Sequence, residues 1–229
     1  MLRYDASVKH LTFSERQYFQ KYFPEVHLSS IGGLVGMGAQ SVVRAYEMQG
    51  GVSPMVIKYP RARTRSDFFS MGVSPIFTQP ARQISEQVGL CQQYFKDRVI
   101  FTELVADLKR GKNFYMIQER LSMKVLTLDL YRKHPELEPQ LHEVLRENRK
   151  LMNDTGLWFD FMGWDSKRVL RDEAYIANLG VVGTPHDGMR LKMFDLSLYV
   201  LPRYSPNTWL HGILYAVQSR NLRRFGCDF

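Results

Sequence analysis

Residues 31–58, IGGLVGMGAQSVVRAYEMQGGVSPMVIK, set the architecture of the first half of the chain. Apolar and β-branched runs alternate there with glycine-rich turns. This pattern predicts a strand, a glycine turn, a second strand, a turn at residues 50–51 and a third strand. Gly36 and Gly38 belong to the first turn, and Val43 belongs to the second strand. Glycine lets the backbone approach a phosphate closely, so this turn can cradle a nucleotide. A plain glycine-rich hairpin would show the same sequence pattern.

Lys58 ends the third predicted strand, one hairpin after the glycines. A lysine in that position is ordinarily the solvated end of a strand. It can also reach the α- and β-phosphates of a nucleotide under the glycine turn. The helix predicted at residues 79–95 contains a single carboxylate, Glu86, which follows in the right order to hold the lysine. Lys58 and Glu86 are therefore candidate phosphate-orienting residues.

Two further strands are predicted at residues 99–106 and 114–121, joined by a polar turn at residues 109–113. The second strand runs from apolar residues into Glu119 and then Leu121. The main-chain groups of such a strand end can contact the edge of an adenine, and a plain core strand explains the pattern equally well. The end of this strand is a candidate nucleotide-binding segment.

Two polar residues interrupt apolar runs in the second half, Asn178 in IANLG and Asp195 in MFDLS. The two runs flank a turn at residues 185–188, which predicts a hairpin. An unpaired charge is costly to bury, so Asp195 needs a partner. Oxygen ligands of this kind suit Mg²⁺, and both residues are candidate metal ligands; a capped turn is the alternative.

Helix signals lie on both sides of the β-rich region. Thr12 and Glu15 form a capping-box pattern ahead of aromatic residues at helical spacing. Pro139 suits the first position of a central helix, and Gly156 suits its C-terminal stop. Helices are predicted at residues 12–23, 139–152 and 209–220. A β-rich first half followed by a mainly helical second half indicates a two-lobed α+β protein.

Composition excludes several classes of protein. The chain has 229 residues, of which 45% are hydrophobic and 24% are charged, as in an ordinary globular protein. No apolar run approaches the ~20 residues of a membrane-spanning helix, and the first residues lack a secretory-signal pattern. The two cysteines predict neither a disulfide framework nor a four-ligand zinc site. We expect a cytoplasmic location, or secretion without a signal peptide of the usual kind.

The net charge of +8 attracts phosphates of any kind. A nucleic-acid-binding protein would carry aromatic residues interleaved with lysine and arginine on one surface. Tyr115 and the Trp158–Phe159 pair lie in apolar runs instead. We therefore expect no DNA or RNA partner.

Taken in order, these motifs resemble those of the protein-kinase-like superfamily over most of the chain. The glycine turn is similar to G-x-G-x-x-G-x-V, with Ser41 at the third glycine, and Met55–Lys58 is similar to the V-A-I-K strand. Asn178 resembles the metal-binding asparagine of the catalytic loop, and Asp195 resembles the aspartate of D-F-G.

The resemblance implies ATP and Mg²⁺ as cofactors. Asn178 and Asp195 would bind Mg²⁺, and Lys58, held by Glu86, would orient the phosphates. Glu119 and Leu121 resemble positions of the hinge. The residues that the resemblance implies for nucleotide binding are Gly36, Gly38, Val43, Lys58, Glu86, Glu119 and Leu121.

The sequence departs from the family at the catalytic loop. The H-R-D string is absent, and Trp158–Phe159 stands where His and Arg are usual. Asp160 and Asp172 compete for the role of catalytic base, because Asp172 stands six residues before Asn178 while Asp160 directly follows an apolar strand-like run. We favour Asp160, which implies an insertion at residues 162–173 within the loop.

The sequence resembles minimal kinases of the bacterial-effector or small-molecule phosphotransferase sort, because 34 residues follow Asp195 and no A-P-E motif is visible. The predicted organisation is an N-terminal helical extension at residues 1–27, a β-rich N-lobe at 28–121 and a reduced, mainly helical C-lobe at 122–229.

The predicted function is transfer of the γ-phosphoryl of ATP to a hydroxyl acceptor, with protein Ser/Thr ahead of a small molecule or lipid. The alternative is a pseudokinase that binds a nucleotide or a partner. The missing H-R-D string favours this alternative, and the presence of Lys58, Asn178 and Asp195 speaks against it.

Overall fold

The computed structural model describes residues 10–37, 41–48, 54–60, 81–107, 113–161, 174–184, 186–196, 198–200 and 208–227. The chain divides into two compact units. Unit 1 comprises Met1–Glu86 and Phe101–Leu121, and unit 2 comprises Gln87–Ile100 and Ser122–Phe229. Both contain helices and antiparallel strands, so the predicted α+β class is confirmed. The predicted lobe boundaries stay a prediction. None of the helices in the described ranges is long and apolar enough to span a membrane.

Unit 1 is built on a five-stranded antiparallel sheet with strand order β1-β2-β3-β5-β4. Its strands are β1 (Ile31–Met37), β2 (Ser41–Tyr46), β3 (Met55–Pro60), β4 (Thr102–Asp107) and β5 (Asn113–Glu119). Its helix is α1 (Phe13–Tyr22), and the helix α2 (Ala81–Phe95) begins in unit 1 and continues into unit 2. The strands predicted within residues 31–58 and the two strands downstream are confirmed, while the predicted turn at residues 50–51 lies outside the described ranges.

Unit 2 combines helices with two small antiparallel sheets. One sheet has the strand order β6-β8-β9, and the other pairs β10 with β7. The strands are β6 (Lys124–Thr127), β7 (Leu157–Phe159), β8 (Tyr175–Val182), β9 (Arg190–Met193) and β10 (Leu198–Val200). The helices are α3 (Leu128–Lys133), α4 (Leu137–Thr155) and α5 (Thr208–Arg224). The predicted β8–β9 hairpin and the central and C-terminal helices are confirmed.

Two details of unit 2 differ from the prediction. The strand β6 and the helix α3 were not predicted, because elements of four and six residues are shorter than the windows in which periodicity becomes visible. Pro139 is the third residue of α4 and not the first. It is tolerated there because the first four N–H groups of a helix have no partner within the helix.

Glycine is required at two ends of elements in unit 2. Gly156 ends α4 in the left-handed conformation, with φ of 73°, as the predicted stop requires. Gly183 follows β8 with φ of 93°, and a Cβ at this position would lie 2.4 Å from the carbonyl oxygen of Gly188. The chain reverses here into β9, so this glycine brings Asn178 and Asp195 back toward the same end of the hairpin.

The N-terminal helix α1 packs on one face of the five-stranded sheet and belongs to the core of unit 1. Phe19 and Phe23 are buried against Tyr59 and Tyr115, with ring centroids 4.9 Å apart in each pair. Tyr18 donates a hydrogen bond to the carbonyl of Phe114 at 2.8 Å. The predicted helix is confirmed. Its aromatic face packs on this side of the sheet.

A buried arginine attaches the start of α1 to the sheet. Arg44 on β2 is only 2% exposed and binds the Glu15 carboxylate through two nitrogens, at 2.9 and 3.0 Å. The Tyr59 hydroxyl also donates to Glu15, which completes the predicted capping box by accepting from the Thr12 N–H. Burial alone would raise the pKa of Glu15, but the bonds from Arg44, Tyr59 and Thr12 outweigh it and hold the pKa below its usual value.

We expect Arg44→Met to lower the free energy of unfolding by about 3 kcal/mol, because the buried Glu15 charge loses its partner. Urea unfolding monitored by circular dichroism measures the loss. The exposed Arg16 on α1 provides the control, and Arg16→Met should change stability by about 0.5 kcal/mol or less. An equal loss in both variants would contradict the role given to Arg44.

The same pair makes stability depend on acid. Since the folded pKa of Glu15 is lowered, its contribution is complete above the ordinary glutamate value of 4.5 and disappears as the pH falls through the lower folded value. Glu15→Gln should therefore flatten the decline of wild-type stability at acid pH.

Candidate active site

Three predicted site residues of unit 1 lie in one row across its sheet. Gly36 on β1 is the register partner of Val43 on β2, and Val43 is the partner of Lys58 on β3. Lys58 also pairs with Met116 on β5. Directly opposite residues on neighbouring strands share a face of the sheet. Gly36, Val43 and Lys58 are therefore neighbours on one face.

This row lies on the face opposite α1. Ile57 and Tyr59 flank Lys58 and belong to the core beneath α1, and successive side chains of a strand point to opposite faces. The Lys58 side chain is half-buried. A Cβ built on Gly36 would meet no atom within 4 Å, so packing does not require glycine there. Gly38 lies outside the described residues.

The remaining nucleotide-binding candidates of unit 1 lie at the end of β5 and on α2. The N–H groups of Glu119 and Arg120 donate to the carbonyls of Phe101 and Pro54, at 3.1 and 2.9 Å, so neither can donate to an adenine in this arrangement. Leu121 follows and is half-buried. Glu86 lies exposed on α2, and its pairing with Lys58 stays a prediction.

In unit 2, Asp160 and Asn178 lie in direct contact although they stand 18 positions apart in the chain. Asp160 follows β7 and Asn178 lies on β8, and the two residues are 7% and 5% exposed. The side-chain nitrogen of Asn178 donates to the backbone carbonyl of Asp160 at 2.7 Å. Since a carbonyl can only accept, this bond fixes the amide orientation and leaves Oδ1 of Asn178 as its acceptor. Asp172, the other candidate base, lies outside the described residues.

Asp195 lies at the same end of the β8–β9 hairpin as Asn178. Leu179 and Met193 are the last register pair at that end, and Asn178 and Asp195 lie just beyond it. The segment is anchored to α2 and the turn after it: Ile100 donates to the carbonyl of Met193 at 3.0 Å. Burial, and after it the negative charge of Asp195, raises the pKa of the Cys91 thiol on α2.

The sequence analysis missed a set of buried amide side chains that hold the backbone of unit 2. Asn148 on α4 accepts from the Phe159 N–H at 2.8 Å. Gln218 on α5 accepts from the Phe161 N–H at 3.2 Å and donates to Oδ1 of Asp160 at 2.7 Å. A signal existed: Asn148 falls on the buried face of α4 with Leu141, Val144, Leu145 and Leu151, where an amide needs a partner.

The site chemistry suits a hard cation with oxygen ligands. Asp195 supplies a carboxylate and Asn178 an amide oxygen, which are the donors that Mg²⁺ takes together with water and phosphate oxygens. Within the described ranges, no group of three or more His, Cys, Asp and Glu side chains could hold a metal ion. That Asn178 and Asp195 bind Mg²⁺ stays a prediction.

No family model and no curated protein matches the chain. Two crystal structures of the Mycobacterium tuberculosis PknI kinase domain, a double and a single mutant, align with it at 9% identity. The TM-scores are 0.44 and 0.43, and each alignment covers 75% of this chain and 60% or 61% of the other. The chain thus spans about 60% of the length of those kinase domains. TM-scores this low do not establish a shared fold.

We expect Asn148→Ala to lower the free energy of unfolding by about 1–3 kcal/mol, because the buried Phe159 N–H loses its acceptor. Thermal unfolding followed by circular dichroism measures the loss. Asn153 on the exposed side of the same helix provides the control, and Asn153→Ala should cost about 0.5 kcal/mol or less. Similar losses at both positions would argue against the bracing role.

Proposed function

We propose that this protein is an ATP- and Mg²⁺-dependent phosphotransferase of the protein-kinase-like superfamily. It moves the γ-phosphoryl of ATP to a hydroxyl acceptor, with protein Ser/Thr preferred to a small molecule or lipid. The observation that carries the proposal is the contact between Asp160 and Asn178 at the end of the hairpin that also bears Asp195. A base and a metal-binding asparagine side by side are the parts that phosphoryl transfer requires.

The residues of unit 2 would supply the metal site and the base. Asn178 and Asp195 would hold Mg²⁺, which neutralises charge that develops on the transferred phosphoryl. In the reaction, the acceptor oxygen forms a bond to the γ-phosphorus, and the bond from that phosphorus to the β–γ bridging oxygen breaks. The hydroxyl proton passes to Asp160, and ADP leaves with the bridging oxygen.

The residues of unit 1 would hold the nucleotide. Lys58 would orient the α- and β-phosphates, and Gly36 and Gly38 would cover them. Among the described residues, a Cβ at position 36 would meet no atom within 4 Å, and this open space beside the backbone supports the role. At the end of β5, the Glu119 carbonyl and the Leu121 N–H would contact the adenine, because the N–H groups of Glu119 and Arg120 are already engaged.

A nucleotide-binding pseudokinase is the second candidate. Trp158 and Phe159 stand where the kinase-like family usually has His and Arg. Both side chains are fully buried and belong to the core of unit 2. A phosphate on the activation loop would therefore lack its usual arginine partner. The two candidates differ in their dependence on Mg²⁺, and this difference is measurable.

We expect Mg²⁺ and ATP together to stabilise the wild-type protein, by about 2.7 kcal/mol at a hundredfold excess over Kd. Asp195→Asn should abolish the Mg²⁺-dependent part of the stabilisation, and Lys58→Met should weaken it. Thermal unfolding with ATP, with and without Mg²⁺, measures both. The control is Asp129→Asn, since Asp129 forms only an exposed ion pair with Lys133.

The outcomes separate the two candidates. A Mg²⁺-dependent rise, together with ADP release, supports the phosphotransferase. A rise that needs no Mg²⁺, or one that survives in Asp195→Asn, supports the pseudokinase. No rise in the wild-type protein would refute both.

Gly36→Ala separates nucleotide binding from folding. Because a Cβ at this position meets no atom within 4 Å, the variant should be as stable as the wild type or gain about 0.5–1 kcal/mol without ligand. Its stabilisation by Mg²⁺ and ATP should fall, since the methyl group separates the backbone from the phosphates. An undiminished rise would remove Gly36 from the site.

A further inference from the structure

Gln218 on α5 makes a direct contact with the Asp160 carboxylate. Its side-chain nitrogen donates to Oδ1 of Asp160 at 2.7 Å, and its side-chain oxygen accepts from the Phe161 N–H at 3.2 Å. Gln218 is 1% exposed, and it lies 58 positions from Asp160 along the chain. We infer that Gln218 is a positioning residue that fixes the Asp160 carboxylate for proton transfer, an inference that rests on the proposed function.

The two bonds fix the orientation of the amide. The Phe161 N–H can only donate, so the Gln218 oxygen must face it. The nitrogen of the same amide then faces the carboxylate of Asp160. One planar group therefore holds both the backbone after the aspartate and the aspartate side chain, and neither can turn without breaking a buried hydrogen bond.

A second residue, Asn178, also holds the backbone of this segment. Asn178 donates its side chain to the Asp160 carbonyl at 2.7 Å and its N–H to the Phe161 carbonyl at 3.3 Å. Phe161 is fully buried against Phe159, with ring centroids 5.0 Å apart. Since Asn178 already secures the main chain, the bond from Gln218 to Oδ1 adds control of the side chain.

Another amide on the same helix shows what a purely structural brace looks like. Asn221 stands three residues after Gln218, is also buried, and donates to the backbone carbonyl of Tyr175. That bond reaches main chain only. Of these two buried amides on α5, Gln218 alone reaches a carboxylate, and that carboxylate belongs to the proposed base.

The choice of an amide has a chemical consequence. A lysine or arginine in this place would form an ion pair with the Asp160 carboxylate and neutralise its charge. The Gln218 amide brings no charge, so it orients the carboxylate through one hydrogen bond. Gln218 therefore orients the Asp160 carboxylate without neutralising its charge.

The test compares Gln218→Leu and Gln218→Glu with Asn221→Leu. The assay is ADP formation from ATP with Mg²⁺ and water as acceptor, measured at neutral pH below the melting temperature of every variant. Gln218→Leu removes both bonds. Gln218→Glu keeps an acceptor for the Phe161 N–H and replaces the donor with a like charge.

Both Gln218 variants should lower kcat by about 10²-fold, the cost of a misplaced catalytic group, while KM for ATP stays the same. Gln218→Glu should lose kcat even though it keeps an acceptor for the Phe161 N–H, since the bond to the Asp160 carboxylate is the one that positions the base. Asn221→Leu should lower the melting temperature but keep the wild-type kcat.

The result distinguishes this inference from the proposed function. If the wild-type protein forms no ADP with Mg²⁺, the proposed function fails and the inference fails with it. If the wild-type protein is active and both Gln218 variants match Asn221→Leu in kcat, the inference alone is overturned. A loss of kcat in Gln218→Leu that Gln218→Glu does not share would also overturn it, because a residue that only braces the backbone predicts that pattern.

Discussion

The hydrogen bond from the Asn178 amide to the carbonyl of Asp160 is the interaction on which the proposed site depends. Both residues are buried at the ends of apolar strands, where an unpaired polar group would cost several kcal/mol. The Asn178 side chain donates a hydrogen bond to the Asp160 carbonyl, and the Gln218 side chain donates another to the Asp160 carboxylate. Burial therefore favours the contact between Asp160 and Asn178, since separating them would leave buried polar groups without these partners.

The two units stabilise their buried polar groups with different kinds of partner. Unit 1 attaches α1 through the ion pair of Arg44 with Glu15, whose strength depends on an ionised carboxylate. Unit 2 uses neutral amides such as Asn148 and Gln218, which do not titrate. Attachment of α1 should therefore weaken at acid pH, as Glu15 becomes protonated. The helix α1 packs on one face of the sheet, and Lys58 lies on the opposite face. Attachment of α1 therefore leaves the Lys58 face uncovered by this helix.

Much of the fold could be predicted from local patterns. Alternation in residues 31–58 found β1, β2 and β3, and the capping box at Thr12 and Glu15 found the start of α1. These signals are local, because a strand or a helix turn brings together residues that are two to four positions apart. Short elements such as β6 and α3 gave no such signal and were missed.

The sequence alone was enough to name Lys58, Asn178 and Asp195 as polar residues that interrupt or end apolar runs, since an apolar run predicts burial and a buried polar group needs a partner. It could not name the partners. The contact of Asp160 with Asn178 and that of Gln218 with Asp160 join residues 18 and 58 positions apart, and no periodicity relates such distances. Those contacts arise when β7, β8 and α5 pack in three dimensions. The sequence favoured Asp160 as the base because it follows an apolar run, and the packed structure brings Asp160 against Asn178.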